Sequence, residues 1–512
     1  MRWIHALYLV LFLTIVMAVP AMAQQTAPPG APPPIISTDE RLNSLEKTSK
    51  QADDKFGVSI NIVWTLVTGY MVIFMQAGFA MVECGFTRVK NVAHTACMNL
   101  MSYALSILAY WACGFAFQFG GCADANSVAN VSTLGARIPE TLNVLMGFNL
   151  GGDFIGLLGG RGFFLTHEFY DGGLYTLFLF QMIFGGTAAI IPTGAMAERW
   201  KFSAFALSTV CVCAFVYPLF GCWTWGGGWL AAMGKNWGYG HGLVDFAGSA
   251  VVHVCGGTLS LIWVWKLGPR YGKFNKDGSA NAIPGHNVPM GVLGTLILAF
   301  GWFGFNPGST LDGTDHQIGI IAVNTMLASA AGAVTGMLTS WARQTKPDPS
   351  FMCNGMLGGL VAITGPSAFV YAWAAVLIGA ISGVLVVFAT AFVEETLKLD
   401  DPVGAVPVHG ANGVWGAIAL GIFANGQYGD GLNKVTGKVT GLLYGNPMQL
   451  VAQLIGTLVC LTVMAFLAFI IYTIVDKLCG GHRPTIEEEI AGLDPSEIGI
   501  PGYLADVDPE PR

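Results

Sequence analysis

Two histidines stand inside long apolar runs, His253 in LVDFAGSAVVHVCGGTLSLIWVW and His409 in PVGAVPVHGANGVWGAIALGIFA. An imidazole changes charge near neutral pH more readily than any other side chain. An ionisable group at membrane depth is costly, and by default it marks a path for something polar. Asp245 lies eight residues before His253. Eight residues turn a helix by about 80° and advance it roughly 12 Å, so the two side chains cannot pair directly. An Asp at a helix start caps free backbone N–H groups, which accounts for Asp245 without any ligand. Long-range attraction for a cation at an entrance is its second reading.

Aromatic residues recur where apolar segments would meet the outer surface. Phe180 and Phe184 are four apart, on one face of a helix, and so are Phe305 and Ser309 in GWFGFNPGS. Trp225 ends another segment in WTWGGGW. A belt of interfacial aromatics explains any one of them. A ring face also attracts a cation by roughly 0.5–2 kcal/mol, and a hydroxyl can accept a hydrogen bond from an N–H donor.

The elements that must position these groups are membrane-spanning. Hydrophobic residues make up 53% of the 512 and charged residues 11%, with a mean hydropathy of +0.58. A soluble chain carries about 25% charged residues. The 68 glycines suit close helix packing. The net charge of −7, heavy in the C-terminal tail, leaves no basic footprint for nucleic acid. Most of the eleven cysteines lie inside apolar segments, as small hydrophobes. No CxxC pair exists, so neither a metal knuckle nor a disulfide framework is indicated, and Cys122 alone is expected to face outside.

Residues 1–23 read as a signal peptide: Arg2, an apolar core and the cleavage site Ala21-Met22-Ala23. A transmembrane helix competes, but the run is short and a Pro-rich stretch follows. Residues 24–56 are expected as a flexible extracytoplasmic lead. Eleven apolar segments follow, near 59–82, 93–119, 174–196, 203–224, 246–265, 288–305, 318–341, 352–365, 369–393, 405–426 and 449–475. Most reach the roughly 20 residues that a span needs; 352–365 is short. With the N-terminus outside, the inner side holds Arg88, Lys90, Arg199, Lys201, Lys266, Arg270, Lys273, Lys276, Arg343, Lys346, Lys398, Lys477 and Arg483. The outer loops between spans hold only Arg137, Arg161, Lys235, Lys434 and Lys438. That asymmetry obeys the positive-inside rule.

The expected architecture is therefore an all-α integral membrane protein of eleven transmembrane helices. Its N-terminus is outside and its C-terminus cytoplasmic, with a transport domain over 57–480 and a cytosolic acidic tail over 481–512. Spans 1–5 and 6–10 then run in opposite senses. Each set ends in a histidine-bearing segment, and GF recurs in both first spans (Gly78-Phe79 and Gly304-Phe305). A 5+5 inverted repeat plus one helix, with its site between the halves, is the expectation.

The strings DFAGSAVVH, GHNVPMGVLGTLILAFGWFGFNPGS, GAMAERWKFSA, WGGGW and DDPVGAVPVHG together resemble the ammonium transporter (Amt/Mep/Rh) family, closest to its bacterial Amt branch. The resemblance runs from about residue 57 into the tail, and the combination is highly specific. It implies a homotrimer in the bacterial cytoplasmic membrane, with one narrow pore per subunit, no cofactor, no metal and no enzymatic activity. By matched position, Trp225, Phe180 and Ser309 would form the outer ammonium recruitment site, and Phe184 and Phe305 the stacked rings closing the pore. His253 and His409 would be the twin pore histidines and Asp245 the entrance aspartate.

The physics of ammonium fits these roles. The ion is close in size to potassium, so selection needs ring faces and a directed acceptor as well as a diameter. An intact cation below the rings would lose its hydration at a cost of several kcal/mol; handing off the proton lets neutral ammonia proceed. Whether that proton also crosses stays open.

Two departures stand out. Gly404 occupies the place of the family's second aspartate, although Asp400 and Asp401 remain, and Ile498-Gly499-Ile500 replaces an HGE-like triplet in the tail. That tail is where PII signalling proteins regulate such channels, so a PII-type partner is implied but weakened, and a merely solvated tail is the alternative. The long Gly-rich outer loop, 120–173, suggests no function. His94, His167, His241, His286, His316 and His482 are expected at span ends or in loops, solvated or capping.

Rival readings are a bis-histidine haem protein, an Amt-like ammonium sensor and an Rh-type gas channel. A sensor is disfavoured by a tail of about 35 residues, and a gas channel by Trp225 and Ser309. A metal-dependent enzyme is disfavoured because no carboxylate accompanies the histidines at ligand spacing.

Overall fold

The structure, a computed structural model, describes residues 38–121, 131–135, 144–166 and 171–503. The signal-peptide reading, Cys122 and His167 lie outside the described residues. Helix α1 (Thr38–Phe86) is 49 residues long. The stretch expected as a flexible lead is thus helical from Thr38; its Glu, Lys, Leu, Gln and Arg residues are good helix formers.

The apolar runs become α2 (Val89–Phe119), α3 (Gly172–Met196), α4 (Phe202–Trp237), α5 (Ser249–Leu267), α6 (Val288–Phe305), α7 (Gln317–Gln344), α8 (Pro349–Thr364), α9 (Ala372–Thr396), α10 (Val406–Phe423) and α11 (Pro447–Cys479). A short α12 (Ile486–Ala491) follows, opened by a capping box at Thr485 and Glu488. Among the described residues, ten helices are long and apolar enough to cross a membrane, and α8 is a shorter apolar one. The protein is a multi-pass membrane protein. Its outward helix faces are apolar, with Val63, Tyr70, Phe74, Leu296, Phe300, Val334, Phe388 and Phe466 exposed, as lipid contact requires.

The loops sort to two ends. Those after α1, α3, α5 and α9 meet in a buried ion-pair cluster: Glu198 binds Arg88 and, at 2.9 Å, Arg270, and Arg270 binds Asp400 at 2.8 Å. Burial alone would raise the Asp400 carboxyl, but Arg199 and Arg270 hold it well below the usual carboxylate range. Arg483 and Glu489, beyond α11, join the same end at 2.6 Å, and Glu489 accepts from the Tyr271 N–H. At the other end, His241 after α4 bonds the Gly437 carbonyl after α10 at 3.0 Å.

The loop after α2 departs from an all-helical chain. A hairpin, β1 (Leu145–Leu150) and β2 (Asp153–Gly159), turns at Gly151-Gly152. Both glycines have positive φ, as a two-residue hairpin turn needs. The Trp223 indole N–H donates to the Leu157 carbonyl, pinning the hairpin over α4.

Of the other histidines, expected as solvated or capping, His94, His241 and His482 are buried, and the His241 and His482 rings bond the Gly437 and Tyr472 carbonyls. The His482 ring stacks on Tyr472 with centroids 3.7 Å apart. Apolar neighbours in a densely packed bundle cover span ends that a linear reading leaves open.

Candidate functional site

Each central histidine sits in the first, widened turn of its helix, Ser249–Val254 in α5 and Val406–Ala411 in α10. Such π-turns disturb the regular ladder and often mark functional positions. Helices α5 and α10 touch backbone to backbone at Gly257 and Gly410, and a Cβ at Gly257 would run into the Gly410 backbone. That close approach brings the imidazoles together: His409 Nδ1 lies 3.1 Å from His253 Nδ1, with rings stacked 5.2 Å apart. One nitrogen donates and the other accepts, so a single proton is shared between the rings. His253 Nε2 is buried with no hydrogen-bond partner among the described residues. The rings are in direct contact, which leaves no gap for a haem macrocycle between them.

Asp245 is a helix cap. It is 1% exposed, and its two oxygens accept the N–H groups of Gly248, Ser249, Ala250 and Val251 at 2.8–3.1 Å. It is also tied to an aromatic neighbour: the Trp225 indole N–H donates to the Asp245 backbone carbonyl at 2.7 Å.

The second half repeats this layout. Asp401 accepts from Gly404, Ala405 and Val406 at 2.7–3.1 Å, and it too lies eight residues before its histidine. Gly404, with φ +79°, takes the place of Gly248, with φ +116°, three residues after each aspartate. Gly404 therefore corrects the sequence reading. It is the turn residue of the motif, and Asp401 is the aspartate.

The aromatic residues line up above the histidines. Phe180 and Phe184 lie 4.8 Å apart, Phe184 stacks on Phe305 at 4.2 Å, and Phe305 stacks on His253 at 5.6 Å. Below His409 the column continues to Phe79 at 6.2 Å. Trp225 meets Phe184 edge-on at 6.2 Å. Ser309 donates its hydroxyl proton to the Phe305 carbonyl at 2.7 Å, which leaves its oxygen lone pairs free to accept.

Two side chains missed in the sequence complete the column. Trp302 stacks on His253 at 5.4 Å and donates its N–H to Thr364 at 2.9 Å. Its three-residue spacing before Phe305 in GWFGF was the available signal. Glu83, buried on α1, lies one residue beyond the apolar run read as the first span. No group of three or more metal-ligating side chains gathers among the described residues.

Residues 63–503 match the model of the Ammonium Transporter Family. Ammonium transporter Amt2 of Archaeoglobus fulgidus is 44% identical, over 87% of this chain and 88% of its own. Ammonium transporter Amt1 of Haloferax mediterranei is 35% identical, over 87% and 79%. Among solved structures, one called Sensor Amt Protein superposes with a TM-score of 0.73 at 35% identity, covering 86% of this chain and 99% of that one. Mep2 of Candida albicans gives 0.69 at 26% identity, covering 88% and 92%.

Proposed function

Because this chain belongs to the ammonium transporter family, we propose that it recruits ammonium at an aromatic outer site, removes a proton and passes ammonia between the paired histidines. The observation that carries this reading is the unbroken column of rings from Phe180 through Phe184 and Phe305 to His253 and His409. Phe180 and Trp225 offer ring faces to the cation, and Ser309 offers an acceptor for an N–H bond. Phe184 and Phe305 close the way to a hydrated ion. Asp245 holds His253 and Trp225 in place through its cap and its carbonyl.

The chain crosses the bilayer eleven times from outside to inside, as two inverted sets of five helices plus one, in the bacterial cytoplasmic membrane. The sorting of alternate loops to opposite ends supports this, as does the excess of Lys and Arg on one side. The same reading makes it a homotrimer, and makes residues 1–23 a cleaved signal peptide. A PII-type regulator would meet the tail after α11, where Ile500 and Tyr503 are exposed.

Ammonium sensing without much flux is the second reading, since one similar structure is called a sensor. Uptake of methylammonium by cells lacking other ammonium transporters separates the two. Transport gives uptake that ammonium competes away, whereas a pure sensor gives none above background.

A further inference from the structure

We infer that Glu83 is the inner terminus of the proton route, taking the proton relayed by His409 and releasing it to water at the inner end. This rests on the pore reading proposed above. Glu83 lies on α1 one turn beyond Phe79, which faces His409. Glu83 and His409 line one cavity of about 30 Å³, which is room for a water molecule. The rest of its wall is largely apolar, with Ile191, Leu298, Leu357 and Val408.

The residue is 3% exposed, and among the described residues no Lys or Arg pairs with it. An uncompensated carboxylate at that depth costs several kcal/mol, and it is retained here with partners for both of its protonation states. Asn99 Nδ2 donates to Oε2 at 2.7 Å, and Thr193 Oγ1 lies 2.6 Å from Oε1. Thr193 also reaches the Ile190 carbonyl. Its one hydroxyl proton can go either way. With Glu83 ionised, Thr193 donates to the carboxylate. With Glu83 protonated, the carboxyl donates to the Thr193 oxygen and Thr193 turns to Ile190.

The titratable groups around it are few. His409 shares the cavity and Cys84 is adjacent on α1. Asp401, in the segment whose Val403 and Gly404 wall the cavity, is engaged by its three N–H donors. The step balances without a co-reactant. An N–H bond of protonated His409 breaks as a cavity water accepts its proton, that water protonates Glu83, and Glu83 returns to the carboxylate by losing the proton to water beyond.

A structural role alone would be filled by an amide, so Glu83→Gln is the discriminating variant. In proteoliposomes on a solid-supported membrane, wild-type protein should give an ammonium-evoked current, Glu83→Gln at least about tenfold less, and Glu83→Asp an intermediate current. Wild-type current that Glu83→Gln retains overturns the role of Glu83 alone; a wild type without current overturns the proton route and this role with it. Should Glu83→Gln fail to fold, the infrared difference spectrum decides. A carboxyl C=O band that changes when ammonium is added, and shifts in Glu83→Asp, supports the inference; no ammonium-dependent carboxyl band refutes it.

Discussion

The stretches Asp245–His253 and Asp401–His409 share one layout and differ in what surrounds them. In both, an aspartate caps the helix, a positive-φ glycine follows three residues later, and a histidine sits on the widened first turn. The first is sealed: four N–H donors grip Asp245, Trp302 and Phe305 cover His253, and His253 is 0% exposed. The second is looser, with three donors on Asp401, and His409 opens onto the cavity shared with Glu83. One motif used twice thus makes a pair of bonded imidazoles, of which His253 is covered by rings and His409 shares a cavity with an acid. In the pore we propose, direction comes from the surroundings of the motif rather than from the motif itself.

The largest expected effect separates the two histidines. Replacing His253 with Leu removes the proton acceptor below the rings, and ammonium-evoked current should fall about 100-fold, the lower range for a lost acid–base group. His409→Leu should cost less, because His253 still stands next to the rings as proton acceptor. Equal losses would remove the asymmetry.

Next come the two caps. Asp245→Ala strands four buried N–H groups and should destabilise the protein by at least about 2 kcal/mol, read as thermal unfolding in detergent. Asp401→Ala strands three and should be the milder change. The reverse order would show that the inner motif is the sealed one.

The smallest effects belong to the mouth. Trp225→Leu gives up a cation–ring attraction of roughly 0.5–2 kcal/mol. Ser309→Ala gives up an acceptor worth about 1 kcal/mol, so the half-saturating ammonium concentration should rise about fivefold. Neither change should alter the maximal current as strongly as His253→Leu does. A mouth variant that abolished the maximal current instead would place the chemistry above the rings.

Much of this was legible in the linear chain, for physical reasons that also explain the gaps. Apolar runs of span length announce themselves, and so do histidines within them, because both violate the composition of a soluble chain. Phe180 with Phe184 and Phe305 with Ser309 could be paired by helical spacing. What escaped were relations set by packing. Asp401 is visible in the chain, but its role is masked by Gly404, although its eight-residue offset to His409 equals that of Asp245 to His253. Glu83 was hidden because the helix runs four residues beyond the apolar stretch 59–82, to Phe86. The hairpin between β1 and β2 lay in a Gly-rich loop without regular alternation, and the burial of His94 and His482 depends on neighbours distant in sequence.

The central claim is that ammonium is deprotonated where the rings meet the histidine pair. It is tested most directly by ammonium-evoked current through purified protein in proteoliposomes, comparing wild type with His253→Asp and Asp245→Ala, and ammonium with potassium. Deprotonation at that point predicts a saturable wild-type current for ammonium, little for potassium, and a strongly altered response in both variants. Currents in both variants indistinguishable from wild type would contradict it.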